Sequence, residues 1–257
     1  MTIEKRFKFI KEVFKNHKEG IETLIENHSF PKSMLCLYSK VLQIESLRKI
    51  LNKSDGNFYS SQVLLRTLLE HYLIGYYVYF KTATKKNDLV GEAYYDEYVK
   101  SEIIKRENYY FNLDKIKNDL KHEDINGYLS KYGNEFRDLT QLQIDNIHKK
   151  ASQFSNVRNV IKYLFNSENQ SKEENVLHTM LFDFLEKYNM LSSYVHGGVS
   201  AEVESFNKDD FDKRKAKIKE NKTWGISLEA NLKFYFLFLL FKDNPDEVMK
   251  LKGFLNR

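Results

Sequence analysis

Apolar residues recur at helical spacing along most of the chain, and no strand-length alternation bounded by turn residues competes with them. The pattern predicts helices over residues 3–28, 32–52, 58–81, 87–110, 135–150, 154–166, 172–196, 208–221, 226–242 and 245–254. Pro31 and Pro245 fit first-turn positions, the second behind Asn244 as a cap. The turn "NKSDGNFYSSQ" around Gly56 makes the segments 32–52 and 58–81 an antiparallel pair. From 111 to 134 the chain is more polar and less periodic, and reads as an irregular excursion or a small subdomain. No Pro-, Ser- or Gly-rich run marks a domain boundary, and there is no internal repeat or low-complexity tract. The expected architecture is all-α: a single multi-helix bundle domain over residues 1–257, with a polar insertion around 111–134.

Composition agrees with long helices and few breaks. Across 257 residues there are two prolines and ten glycines against 17 Tyr and 19 Phe, and the 42% hydrophobic content is enough for a buried core. The net charge of +5 comes from 41 basic residues interspersed with 36 acidic ones, a bias that permits nucleic acid without demanding it. The densest basic run, "KDDFDKRKAKIKE", carries its own acids and reads as a solvated helix face. One cysteine, Cys36, rules out an intramolecular disulfide framework; in "MLCLYSKVL" it reads as a buried thiol of a reducing cytoplasm.

Two apolar segments invite a membrane reading and neither sustains it. "FYFLFLLF", Phe234 to Phe241, is far short of the about 20 residues a spanning helix needs, so it reads as a core helix. Val63 to Phe80 has nearly the length but carries Arg66, Glu70 and His71, each charge costing about 2.5 to 3.5 kcal/mol near a bilayer centre. The amphipathic N-terminal stretch does not have the plan of a secretory signal, and the expected location is cytoplasmic.

The second of these segments holds the first chemical feature. On a wheel of about 100° per residue starting at Gln62, Arg66 falls near about 40° and Glu70 near about 80°, an i, i+4 pair on one face. In the next turns Leu73, Tyr77 and Ile74 close that face with apolar groups, so Arg66 is expected to be at least partly buried and paired with Glu70. Such a pair fixes helix register, or lines a pocket in which the planar guanidinium binds phosphate or carboxylate. His71 points to a neighbouring face and reaches at most the rim of such a pocket.

The second feature is "NMLSSYVHGG". A helical stripe from Val176 to Val195 leads to His196, and Gly197 fits the left-handed residue that ends a helix. His196 is then a helix end favoured by the dipole, or a proton-transfer group that a ligand approaches closely across Gly197 and Gly198. Ser192 and Ser193, a turn or less before it, are placed to orient the imidazole or bind the ligand, or to bond back to the helix carbonyls.

"RTLLEH", with four residues between Arg66 and His71 in an apolar helix, is similar to the Arg-x(4–6)-His signature of HEPN (higher eukaryotes and prokaryotes nucleotide-binding) helical bundles. Thr67 stands where many members carry a polar asparagine. The resemblance implies metal-free RNA cleavage by an arginine and a histidine that meet across a dimer interface, in toxin–antitoxin or phage-defence systems. A second resemblance spans "LLRTLLEHYLIGYYVY" and "YNMLSSYVHGG": both look like an uncharacterised bacterial all-helical family with an Arg-x-x-x-Glu helix and a later Ser-x-x-His element, matched by Arg66, Glu70, Ser193 and His196. The pair Arg158–Asn159 also resembles the HEPN signature but has no following histidine, and reads as surface.

These readings give Arg66, His196, Glu70 and His71 as candidate catalytic residues and Ser192, Ser193 and Gly197 as candidate ligand-binding ones. RNA or a nucleotide is the expected ligand, with a protein partner as the alternative and a homodimer as the expected assembly. The seven histidines show no His-x-x-x-His or Glu-x-x-His pairing, so no metal and no cofactor are expected. A serine hydrolase is disfavoured because no strand-turn-helix nucleophile elbow is present. A catalytically silent bundle binding a nucleotide, RNA or protein through the same residues is the competing function.

Overall fold

The computed structural model describes residues 2–54, 56–118, 125–165, 174–206 and 211–255, with the side chains of 174–182, 200, 204–206 and 253–255 outside that description. The described residues are all-α, with no strand among them. In chain order the helices are α1 (Ile3–Asn16), α2 (Ile21–Glu26), α3 (Pro31–Lys53), α4 (Phe58–Lys85), α5 (Leu89–Ala93), α6 (Lys100–Asn118) and α7 (Asn126–Leu129), then α8 (Gln141–Ser155), α9 (Val157–Leu164), α10 (Glu174–Val195), α11 (Val199–Phe206), α12 (Phe211–Leu240) and α13 (Pro245–Leu255). They form two compact units, residues 1–91 with 160–257, and residues 92–159.

In the larger unit α3, α4 and α12 pack on one another, α10 lies against α4 and α1 against α12. Leu65, Leu68, Leu69 and Leu73 of α4 meet a core that includes Leu37 and Ile44 of α3 and Leu232 and Phe236 of α12, all of them buried. Burial of this kind is worth about 25 cal/mol per Å² of apolar surface, which makes these three helices the thermodynamic centre of the unit. Phe234 to Leu240 is the buried end of α12, as its composition predicts, apart from a half-buried Phe238, and Phe241 just beyond it is buried too. No helix among the described residues is long and apolar enough to cross a membrane. Cys36 is fully buried, and burial pushes its thiol up to about 12.

Both prolines occupy first turns. Phe30 cannot cap α3 with its side chain, and Asp88 does so from across the fold: its carboxylate accepts from Lys32 N at 2.9 Å and Ser33 N at 2.7 Å. Several predicted boundaries shift: the segment 135–150 becomes Gln141–Ser155, and α11 lies where no helix is expected. The segment 3–28 is broken by a 3₁₀ turn at Lys18–Gly20. The segment 87–110 continues through a π-helical stretch at Tyr94–Val99 and on to Asn118. The gap expected at 222–225 is helical, because Gly225 lets α12 approach α3 and α4 closely: a Cβ there would sit 3.1 Å from Leu51 Cδ2.

The smaller unit contains the stretch expected to be irregular. It is helical to Asn118, residues 119–124 lie outside the described residues, and α7 with a 3₁₀ turn follows. Leu129 and Phe136 pack with Ile104 and Ile144 in a small core. Beside it the buried Glu107 carboxylate accepts from Tyr132 Oη at 2.7 Å and pairs with Lys131 Nζ at 2.6 Å. Burial alone would raise that carboxyl, but these partners and Arg106 hold it below its usual range. A capping box between Thr140 and Gln143 then starts α8.

The larger core also encloses charge. Glu229 of α12 pairs with Arg48 of α3, and Lys233 Nζ lies 2.7 Å from both Glu229 Oε1 and Glu45 Oε2. Lys233 and Glu229 are each about 1% exposed, so both charges are held out of water. Burial alone would raise the Glu45 carboxyl, but Lys233 and Lys49 donate to it and hold it at about 2. Replacing Glu229 with alanine takes the carboxylate from Arg48 and one of two from Lys233, and urea unfolding should register a loss of about 3 to 5 kcal/mol. A loss below about 1 kcal/mol would show that water reaches the pair. Because an unfolded glutamate titrates near about 4.3, the depressed Glu45 contributes stability above that value and loses it as the pH falls toward about 2. The thermal midpoint should therefore drop between about pH 5 and pH 2, and Glu45→Gln should flatten that drop.

Candidate functional site

Arg66 leaves α4 on the side that meets α10 and is buried, its side chain about 8% exposed. Its guanidinium is engaged on three sides. One terminal nitrogen pairs with Glu70 one turn on, Nε donates to Ser192 Oγ at 3.2 Å, and the plane lies over the Tyr188 ring, 3.5 Å from its centroid. Tyr188 Oη donates to Glu70 Oε1 at 3.3 Å and closes the circuit, while Ser192 Oγ donates to the Tyr188 carbonyl at 3.0 Å. Burial pushes the Tyr188 hydroxyl up to about 12, with Glu70 adding to the rise and Arg66 opposing it, so Tyr188 stays a neutral donor. The stacked guanidinium gains a cation–π contact worth about 2 kcal/mol where water is excluded.

The structure therefore brings together Arg66, Glu70 and Ser192, three of the residues singled out in the sequence. Tyr188 was missed because it counts equally well as a member of the apolar stripe of α10. The signal available was its spacing: Tyr188, Ser192 and His196 stand at i, i+4 and i+8, and so along one stripe of that helix.

His196 is the residue after α10, one turn beyond the serine that Arg66 contacts, and it is exposed. Its backbone N–H donates to the Ser192 carbonyl at 3.2 Å. Gly197 has φ +63°, the left-handed conformation expected of it, and Gly198 N donates to the Ser193 carbonyl at 2.7 Å, the long bond of a Schellman stop. The Tyr194 carbonyl accepts from Tyr59 Oη at the start of α4. These bonds hold the end of α10, where His196 stands exposed.

The remaining candidates lie elsewhere. His71 faces α3, where Lys40 Nζ stands 3.5 Å from its Nδ1. Burial, and the charge of Lys40, bring His71 down to about 4, which keeps it neutral near pH 7. Ser193 turns to the other side of α10; its hydroxyl donates to the Met190 carbonyl at 2.9 Å and lines a cavity of about 390 Å³ with Gln62, Lys217 and Asn221. Arg158 is exposed, as expected of a surface arginine. Among the described residues no group of three His, Cys, Asp or Glu side chains is gathered as a metal ion would require.

No protein-family model, curated protein or solved structure matches this chain.

The pair of Arg66 and Glu70 is asymmetric, since Glu70 is about 43% exposed and Arg66 almost dry. Arg66→Ala releases a carboxylate that water can take up, so the expected cost is about 1.5 to 3 kcal/mol, that of charged hydrogen bonds. A fully buried pair would lose about 3 to 5 kcal/mol. Urea unfolding separates the two, and a loss above about 4 kcal/mol would mean that Glu70 is held dry.

Proposed function

We propose that this chain is a metal-independent ribonuclease of the HEPN-like kind, acting in phage defence or in a toxin–antitoxin system, with His196 moving the proton and Arg66 meeting the phosphate. The observation that carries this reading is the stripe of α10 on which Tyr188 stacks over Arg66, Ser192 bonds to it, and His196 stands one turn further, exposed. In RNA cleavage without metal, a base takes the proton of the 2′-hydroxyl and a cation stabilises the phosphorane formed when that oxygen attacks phosphorus. The exposed imidazole suits the first role. Arg66 suits the second, with the half-exposed carboxylate of Glu70 as a placeholder: a phosphate can displace it and take over the same fork of donors. A second copy of the chain would supply the acid for the leaving 5′-oxygen, in keeping with a homodimer.

One observation favours a second reading. Arg66 is engaged on three sides, which suits a catalytically silent module that binds a nucleotide, RNA or protein partner through Glu70, Tyr188 and His196.

Purified protein incubated with RNA in the presence of a chelator should cleave it, and His196→Ala should lower the rate by about 10² to 10⁴, the usual contribution of a proton-transfer group. Arg66→Ala should lower it at least as much while the fold remains. RNA left intact by the wild-type chain sinks the ribonuclease reading, and ligand-dependent thermal stabilisation without turnover would establish the silent module.

A further inference from the structure

The basic run that reads in sequence as a solvated face is one wall of a groove. The first turns of α12 lie across from the start of α4 and enclose an open trough of about 1140 Å³. Phe211, Lys215, Ile218 and Lys222 follow one another at i, i+4, i+7 and i+11 along that wall, and Arg214 and Lys219 flank them. Among the described residues four cations line the groove against one carboxylate, Asp212. The floor is apolar: Phe58 and Ile218 are buried and pack with Tyr194 and Ala201. The rim is aromatic and open, with Tyr59 about 45% and Phe211 about 74% exposed. An exposed phenylalanine beside a row of cations costs solubility without stabilising the fold, and calls for a partner with flat apolar faces and regular negative charge.

We infer that this groove is a binding site for single-stranded RNA. Bases have the π-faces that Tyr59 and Phe211 can stack on, and the backbone carries the charge that Arg214, Lys215, Lys219 and Lys222 can neutralise. The stripe from Phe211 to Lys222 runs about 16 Å at 1.5 Å per residue, the length of about five stacked nucleotides. A duplex hides its base faces and gains nothing from the aromatic rim. The groove also abuts the candidate site, since Tyr59, on its rim, donates to the Tyr194 carbonyl two residues before His196. The choice of RNA over DNA rests on the ribonuclease reading; the choice of a single strand rests on the groove.

The test uses the full chain and a fluorescein-labelled 2′-O-methyl RNA of about 12 nucleotides, which binds as RNA does but has no free 2′-hydroxyl and so resists cleavage. Anisotropy should show binding that weakens with salt. The exposed pair Lys215→Glu and Lys219→Glu should weaken it by at least about tenfold and reduce the slope of log K against log salt by about 1.4, two phosphate contacts at about 0.7 each. Phe211→Ala, at a position that packs against nothing in the core, should weaken it about fivefold or more with the salt slope unchanged. No binding at low salt, affinity unchanged in both variants, or tighter binding to DNA or to duplex RNA each overturns the inference. Cleavage abolished in His196→Ala while groove-dependent binding persists supports both readings. A wild-type chain that binds through the groove yet cleaves nothing sinks the ribonuclease and leaves the groove standing.

Discussion

A cation taken out of water must be met by an anion or a ring, and this bundle meets that constraint at two levels. Along the packed faces of α3 and α12, Arg48, Glu229, Lys233 and Glu45 form a chain of charge inside the core. Between α4 and α10, Arg66 is met by Glu70, Ser192 and the face of Tyr188. Leucine contacts would tolerate small slips between helices, whereas these pairs hold only when each donor meets its acceptor, so they fix the register of the bundle. Neither arrangement needs to be net stabilising to do this. The desolvation of each ion offsets much of what its pairing returns.

The two levels differ in what they leave for chemistry. The core chain is closed at its centre, since Glu229 and Lys233 are equally dry. The Arg66 arrangement is open on the side of Glu70, whose carboxylate water reaches. His71 illustrates the converse. Next to Arg66 in motif terms, it is turned by the 100° step of the helix toward Lys40, where burial and like charge make it a poor proton carrier. The histidine one hundred and more residues later is exposed instead, on the same stripe as Tyr188 and Ser192.

Most of the fold was legible because the apolar period of each helix is written locally. The ends of α3, α4 and α13 fall within a few residues of their expected positions, and Arg66 is as buried and as paired as the closure of its helix face by Leu73 and Tyr77 implies. What was illegible depends on contacts made at a distance. Gly225 looks like a place for a break until Leu51 and Leu68 are packed against it. Lys233 flanks an apolar run like any solvated lysine, and beside Glu229 of its own helix it takes Glu45 of α3 to pair it in the core. Tyr188 is indistinguishable from a core residue until Arg66 lies under its ring.

The same reasoning changes the meaning of the basic run of α12. Its composition, acids among lysines, describes a solvated helix, and periodicity cannot distinguish a face turned to bulk water from one turned to a neighbour 150 residues away. The start of α4 makes the distinction: Phe58 is drawn into the cluster of Tyr194 and Ile218, and this leaves Tyr59 beside it on the rim, bonded to the end of α10. One tyrosine therefore joins the groove to the helix stop that fixes His196. Two residues beyond the carbonyl that Tyr59 holds stands His196, exposed, at a helix end closed by a Schellman stop and with no side chain on Gly197.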